Sequence, residues 1–281
     1  MEQVRHHLRI RPRRNLLDID LRELWKYRDL VALFVRRDFV SLYKQTILGP
    51  LWFIIQPLIS TLMFTIVFAK VAGISTAGLP PIIFYLSGTI AWNYFSTTLL
   101  KTSDTFIQNA SIFGKVYFPR LTVPVSIVIS NFIQFVIQFF LLIAVMIIYT
   151  YRGFDFQFDL TLCLIPVLLI ILAGLGLGFG IIISSLTVKY RDLRQLVSFG
   201  VQLWMYITPV IFPLSSVEGK YRVFFLINPL TSIVETFRTI LLGTGQINYN
   251  YLFYSSGCMV VLLAIGILMF NRIERNFTDY V

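Results

Sequence analysis

The run Ala173-Gly174-Leu175-Gly176-Leu177-Gly178-Phe179-Gly180 has the composition of a phosphate-cradling loop, in which backbone N–H groups would hold a nucleotide. Its context excludes that chemistry, because no strand-like run precedes it and no Lys-Ser or Lys-Thr follows. Gly114-Lys115-Val116 and Gly219-Lys220-Tyr221 likewise lack the upstream glycine spacing and the hydroxyl residue of a Walker A motif. The two histidines, His6 and His7, lie in a basic N-terminal segment, so no histidine metal site is expected inside a membrane. The long apolar stretches are almost free of Asp, Glu, Lys and Arg, which argues against a proton relay. No constellation of acids, bases or metal ligands points to an enzyme, and no cofactor is expected.

What the glycines do instead follows from the elements that carry them. A bilayer core of ~30 Å takes about 20 apolar residues as a helix. Six stretches qualify or nearly so: residues 47–69, 81–100, 123–149, 160–188, 196–212 and 252–270. The fifth is short and the fourth is longer than one straight span requires. With 57% hydrophobic and 14% charged residues, the chain fits an integral membrane protein. Within the fourth stretch, Gly174/Gly178 and Gly176/Gly180 form overlapping small-xxx-small pairs that allow another helix to approach closely. Cys163 and Cys258 fall in or beside spans and read as packing residues. The N-terminus is polar and basic, so no secretory signal peptide is expected.

Charge sets the expected orientation. All but Lys70, Arg152, Lys220, Arg222 and Arg238 of the 24 lysines and arginines fall before the first span, in the 2–3 and 4–5 loops, or after the sixth span. Cytoplasmic loops carry that excess, so both termini are expected in the cytoplasm. The net charge of +10 is accounted for by this bias and by attraction of the segment 5–14 to anionic lipid headgroups, so nucleic acid is not an expected partner.

Several segments have more specific signals. Residues 21–40 place Leu21, Leu24, Trp25, Val31, Ala32, Val35 and Phe39 on one helical face, and Arg22, Lys26, Asp29, Arg36 and Arg37 on the other. An amphipathic helix lying in the interface fits, and a simple basic flank is the alternative. Pro50 suits a helix start, whereas Pro57 should kink or loosen the first span. Asn131, Gln134 and Gln138 follow i, i+3, i+7 on one face, either for hydrogen bonds between helices or to line a hydrated path. Between spans five and six, two short apolar segments flank Asn228-Pro229 and end at Gly243, as expected of paired helices dipping into the outer leaflet. Glu235 and Arg238, spaced i, i+3, either neutralise each other at the rim or pair at an ordinary surface. The 26 Phe, 14 Tyr and 4 Trp mostly suit interface belts, but flat ring faces would also let a neutral sugar polymer slide without deep binding wells.

Three motifs together resemble one family. They are Tyr43-Lys44-Gln45-Thr46-Ile47-Leu48-Gly49-Pro50-Leu51-Trp52 continuing to Gln56-Pro57-Leu58; Val188-Lys189-Tyr190-Arg191-Asp192-Leu193 followed by Tyr206-Ile207-Thr208-Pro209-Val210-Ile211-Phe212-Pro213; and Asn228-Pro229-Leu230-Thr231 followed by Glu235-Thr236-Phe237-Arg238 and Leu241-Leu242-Gly243. In this order they resemble the permeases of type-2 ABC exporters, and within them the polysaccharide export subgroup that moves lipid-linked O-antigen, capsule or teichoic acid chains. The resemblance implies an all-α, six-transmembrane-helix protein of the bacterial inner membrane, with an N-terminal interface helix and short re-entrant external helices. Its divisions would be a cytoplasmic tail and interface helix (1–46), a transmembrane domain (47–272) and a cytoplasmic tail (273–281). It further implies a homodimer paired with two copies of a separate P-loop ATPase subunit, the permease having no ATPase site of its own. Loops near 101–120 and 187–195 would couple to the ATPase through Asp104, Lys115, Tyr190, Arg191 and Asp192. A segment near 214–250 would form the external gate, with Asn228, Pro229, Glu235 and Arg238. Trp52, Trp92, Tyr94, Phe95, Trp204 and Tyr206 are the candidate channel lining.

The rival readings are a drug or lipid exporter of the same type, an ATP-independent channel or scaffold, and a membrane glycosyltransferase, the last disfavoured by the missing acidic cluster.

Overall fold

The computed structural model describes residues 21–44, 46–113, 115–116, 118–156, 159–187, 190, 192–243 and 245–276, and every regular element among them is helical. Helix α1 (Leu21–Lys26) leads into α2 (Arg28–Tyr43). The first apolar stretch opens with a 3-10 turn, Gly49–Leu51, with Pro50 in the first turn, where a missing N–H costs nothing. It continues as α3 (Trp52–Phe64), which runs unbroken through a buried Pro57, and ends in a π-helical segment, Thr65–Val71. Next come α4 (Pro81–Ser103), the short helices α5 (Thr105–Gln108) and α6 (Ala110–Phe113), and α7 (Thr122–Thr150). A 3-10 turn (Leu160–Leu164) introduces α8 (Ile165–Thr187), followed by α9 (Leu193–Trp204), α10 (Gly219–Ile227), α11 (Pro229–Leu242) and α12 (Tyr249–Asn276).

Four helical stretches among the described residues are long and apolar enough to cross a bilayer: Gly49–Val71, Thr122–Thr150, Leu160–Thr187 and Tyr249–Arg272. Helices α10 and α11 reach the same length and hydropathy only together, bent by 100°. Two of the six expected spans therefore look different in the fold. Helix α4 has 23 residues, enough to cross, but it carries Tyr, Trp, Asn, Ser and Thr throughout. Its Ser87, Thr89, Thr98 and Thr102 are buried along with Ile83, Phe84, Ile90 and Phe95, because α3, α7, α8, α9 and α11 pack around it. A helix sheltered by other helices has no need to match lipid. The fifth stretch is helical only to Trp204, then takes a 3-10 turn (Met205–Ile207) and becomes extended at Thr208. Pro209 follows, and the residue before a proline is driven out of the helical region.

The glycines of α8 serve two neighbours. A Cβ at Gly174 or Gly178 would meet Met259 or Leu262 and Leu263 of α12, while one at Gly176 or Gly180 would meet Thr98 or Thr102 of α4. The two small-xxx-small pairs thus seat α8 between α4 and α12 at backbone-to-backbone range. Asn131 of α7 donates to Thr98 Oγ1 (3.2 Å) and accepts from Lys101 Nζ (3.0 Å), so this polar residue joins helices.

A second apolar cluster closes one end of the bundle. Phe106, just after α4, stacks on Phe270 near the end of α12 (4.7 Å between centroids), and Phe34 of α2 packs on Phe118 at the head of α7 (5.8 Å). The buried stripe of α2 is Val31 and Phe34, with Tyr27 and Leu30 beside it, whereas Trp25 is 71% exposed and Ala32 is also exposed. This corrects the expected apolar face: Leu30, Leu33 and Phe34 make the helix apolar on more than one side, and only packing selects between them.

Gly180→Ala puts a methyl 2.5 Å from Thr102 Cβ and 3.0 Å from Leu99 O, against a side chain and a backbone on the same helix. It is expected to destabilise the protein by roughly 1–3 kcal/mol, read as a lower unfolding temperature in detergent. Gly257→Ala, with nothing within 4 Å, should leave that temperature unchanged or slightly higher.

Candidate functional site

At the end of the bundle closed by the phenylalanine cluster, Asp104 terminates α4 and is buried. Its Oδ2 accepts from Arg194 Nη2 of α9 at 2.9 Å and from Gln108 Nε2 of α5 at 3.2 Å. Its buried Oδ1 has no protein hydrogen-bond partner. Thr187 Oγ1, at the end of α8, donates to the carbonyl of Ser103, the residue before Asp104, at 3.2 Å. Arg37 of α2 reaches Asn109 Oδ1 between α5 and α6 at 3.4 Å, and its guanidinium lies 4.7 Å from the centroid of the Phe34 ring. The first turn of α9, the end of α8 and α2 are thus each joined by polar contacts to the segment from Ser103 to Asn109.

Of the residues expected to couple here, Asp104 sits at that junction. Tyr190 and Asp192 are exposed just before α9, near Arg194 in sequence, and Lys115 is exposed after α6. Arg191 lies outside the described residues. Arg194 was not among the expected site residues. Nothing in a sequence separation of this size pairs it with Asp104; the one signal was an acid and a base each adjoining an apolar run.

At the opposite end, α11 holds an irregular segment in place. Asn228 caps α11 by accepting from Leu230 N–H (3.1 Å), with Pro229 in the first turn. The Asn228 Nδ2 donates to Thr208 Oγ1 (3.0 Å) and Ile207 O (3.4 Å). Arg238, 3% exposed, donates through Nη1 to Pro209 O (3.1 Å) and through Nη2 to Val210 O (3.3 Å). Its guanidinium lies 3.7 Å from the centroid of the Phe84 ring in α4, over Gly88, where any Cβ would stand 2.7 Å from Nη2. Glu235 Oε1 accepts from Leu214 N–H at 3.0 Å and lies 3.5 Å from Arg238 Nη1. Mutual neutralisation of Glu235 and Arg238 is therefore the looser part of the arrangement. Both side chains chiefly satisfy backbone groups that Pro209 and Pro213 leave outside any helix.

The aromatic residues divide. Phe95 is fully buried and meets Trp204 edge-on at 5.3 Å, which meets Phe179 at 5.1 Å. Trp92 packs on Phe95 (5.6 Å) and Tyr94 on Phe135 (5.4 Å). Trp92, Tyr94 and Phe95, expected in the lining, are thus buried against neighbouring rings. Trp52 and Tyr206 are half exposed, and Trp204 is partly so.

Arg238→Met keeps the length but removes the donors that satisfy Pro209 O and Val210 O. It is expected to cost about 2–4 kcal/mol, measured as a lower unfolding temperature of the purified protein. Glu235→Gln, which still accepts from Leu214 N–H, should cost less than half as much.

Residues 29–242 match the sequence profile of the ABC-2 type transporter family. An O-antigen export system permease protein RfbA of Klebsiella pneumoniae is 28% identical over 253 residues, covering 89% of this chain and 94% of the relative. A protein of the same name from Myxococcus xanthus is 26% identical over 263 residues, covering 93% of this chain and 98% of the relative. With a match that spans α2 to α11, this chain belongs to the ABC-2 type transporter family.

Proposed function

We propose that this chain is the channel-forming permease of an ATP-driven exporter that moves a lipid-linked polysaccharide of the O-antigen type across the bacterial inner membrane. The observation that carries the reading is the near-full-length similarity to relatives named as O-antigen export permeases. The permease carries no chemistry. Two copies form the path, and two copies of a separate P-loop ATPase subunit drive it.

Six crossings fit the packing best: the 3-10 turn with α3, then α4, α7, α8, α9 with its 3-10 turn, and α12. Phe34 of α2 and Phe270 of α12 both belong to the cluster that closes one end, so an even number of crossings separates them. The 100° bend between α10 and α11 fits a re-entrant pair on the far side. The lysine and arginine distribution supports a cytoplasmic side made of the Asp104 end, both termini and residues 1–46 and 273–281. There Asp104, Lys115, Tyr190, Arg191 and Asp192 face the ATPase, with Arg194 added to them. The external gate is then the α10–α11 elbow, with Asn228, Pro229, Glu235 and Arg238. Trp52, Trp92, Tyr94, Phe95, Trp204 and Tyr206 are the candidates for the lining, of which Trp52 and Tyr206 are half exposed.

Deleting the gene should make lipid-linked glycan accumulate inside the cell, and the purified chain should bring down a stoichiometric ATPase. Accumulation of a drug or a simple lipid instead would move the assignment to another exporter of the same family. Recovery of an oligomer with no ATPase would favour a channel or scaffold. In the coupled complex, Asp104→Asn or Arg194→Gln is expected to lower glycan export about tenfold, equivalent to ~1.4 kcal/mol, while ATP hydrolysis persists. The exchange Asp104→Arg with Arg194→Asp should recover part of the export. Unchanged export in both single variants would remove this ion pair from coupling.

A further inference from the structure

A cavity of about 520 Å³ lies beside α11, at the end of the bundle away from Asp104. Its size falls within the range of small-molecule sites, roughly 300–1,000 Å³. The walls include Glu235 and Thr239 of α11, Gln246 from the loop beyond it, and Tyr249 and Asn250 from the first turn of α12. Arg238 and Phe84 also line it. We propose that this cavity binds sugar residues of the glycan as they leave the permease, a proposal that rests on the export reading above.

The chemistry of the lining selects a neutral polyol. Only one carboxylate oxygen of Glu235 is taken by Leu214 N–H, and a carboxylate beside amide and hydroxyl side chains offers both acceptors and donors to vicinal hydroxyl groups. Tyr249 is 54% exposed and presents a ring on which the apolar face of a sugar can lie. A phosphate or another anion finds less here. The two terminal nitrogens of Arg238 are engaged by Pro209 O and Val210 O, with the Glu235 carboxylate alongside. Among the described residues of the lining, Arg222, exposed to solvent, is the remaining cation. One exposed cation opposite a carboxylate does not make a phosphate site. Because Glu235 also anchors Leu214, a sugar bonded to it would touch the same side chain that fixes the irregular segment after α9.

The test uses the complete transporter in cells making glycan labelled with a radioactive monosaccharide. A photoreactive benzoylphenylalanine replaces Gln246, or Asn250 if the first variant does not reach the membrane. Illumination is expected to attach labelled glycan to this chain at those positions, and not when the same group replaces Val260, which is exposed on α12. No adduct at either cavity position, or an equal adduct at Val260, overturns the cavity site, while the deletion phenotype still reports on export. Loss of the deletion phenotype itself overturns the export reading. A second arm uses Gln246→Leu and Asn250→Leu. Both should lower export several-fold without changing the amount of assembled complex, and normal export in the pair together overturns the proposal.

Discussion

Polar groups cannot face a bilayer at low cost, and α4 carries Tyr, Trp, Asn, Ser and Thr along 23 residues amid long apolar helices. It can persist only if other helices enclose it. Much of the remaining structure follows from that requirement. The Gly176 and Gly180 face of α8 lets a second backbone come against Thr98 and Thr102. Asn131 of α7 supplies a partner to Thr98. On the remaining side, Gly88 and Phe84 receive the Arg238 guanidinium from α11. Helix α4 is thus the element against which the others take their positions.

Helix α9 is the counterpart of this enclosed helix. Among its described residues Val201 is buried while Leu196, Phe199 and Leu203 are exposed. Its fixed points are its ends: Arg194 on Asp104 at one, and residues 207–214 gripped by Asn228, Glu235 and Arg238 at the other. Both grips lead back to α4, through Asp104 and through Phe84. Between those ends, α9 rests on the core through Val197, Val201 and Trp204.

Apolar run lengths and the bias of basic residues were sufficient to read a polytopic helical protein, because burial in lipid imposes a simple length rule on composition. The small-xxx-small pairs in α8 were legible for the same reason: only close helix packing rewards glycine at that spacing inside a span. The end of α9 was written in Thr208-Pro209 but was masked by the apolar residues Val210, Ile211 and Phe212, which extend the hydropathy signal past the point where the backbone leaves the helix. Side-chain partners were less legible. Arg238 looked like half of a local i, i+3 pair with Glu235, yet its stronger contacts are carbonyls 28 and 29 residues away and a ring in α4. The burial of Trp92, Tyr94 and Phe95 was equally hidden, because aromatic character does not reveal which face of a helix is enclosed. The same ambiguity misplaced the apolar stripe of α2.

The early end of α9 also sets its length. Twelve residues of α-helix and three of 3-10 helix span about 24 Å, against a hydrocarbon core of ~30 Å. The difference is about 6 Å, and a hydrophobic mismatch of that kind costs fractions of a kcal/mol per Å and is relieved by thinning of a bilayer or by a second protein surface covering the deficit. The stop at Thr208-Pro209 thus leaves α9 about four helical residues short of an unthinned hydrocarbon core.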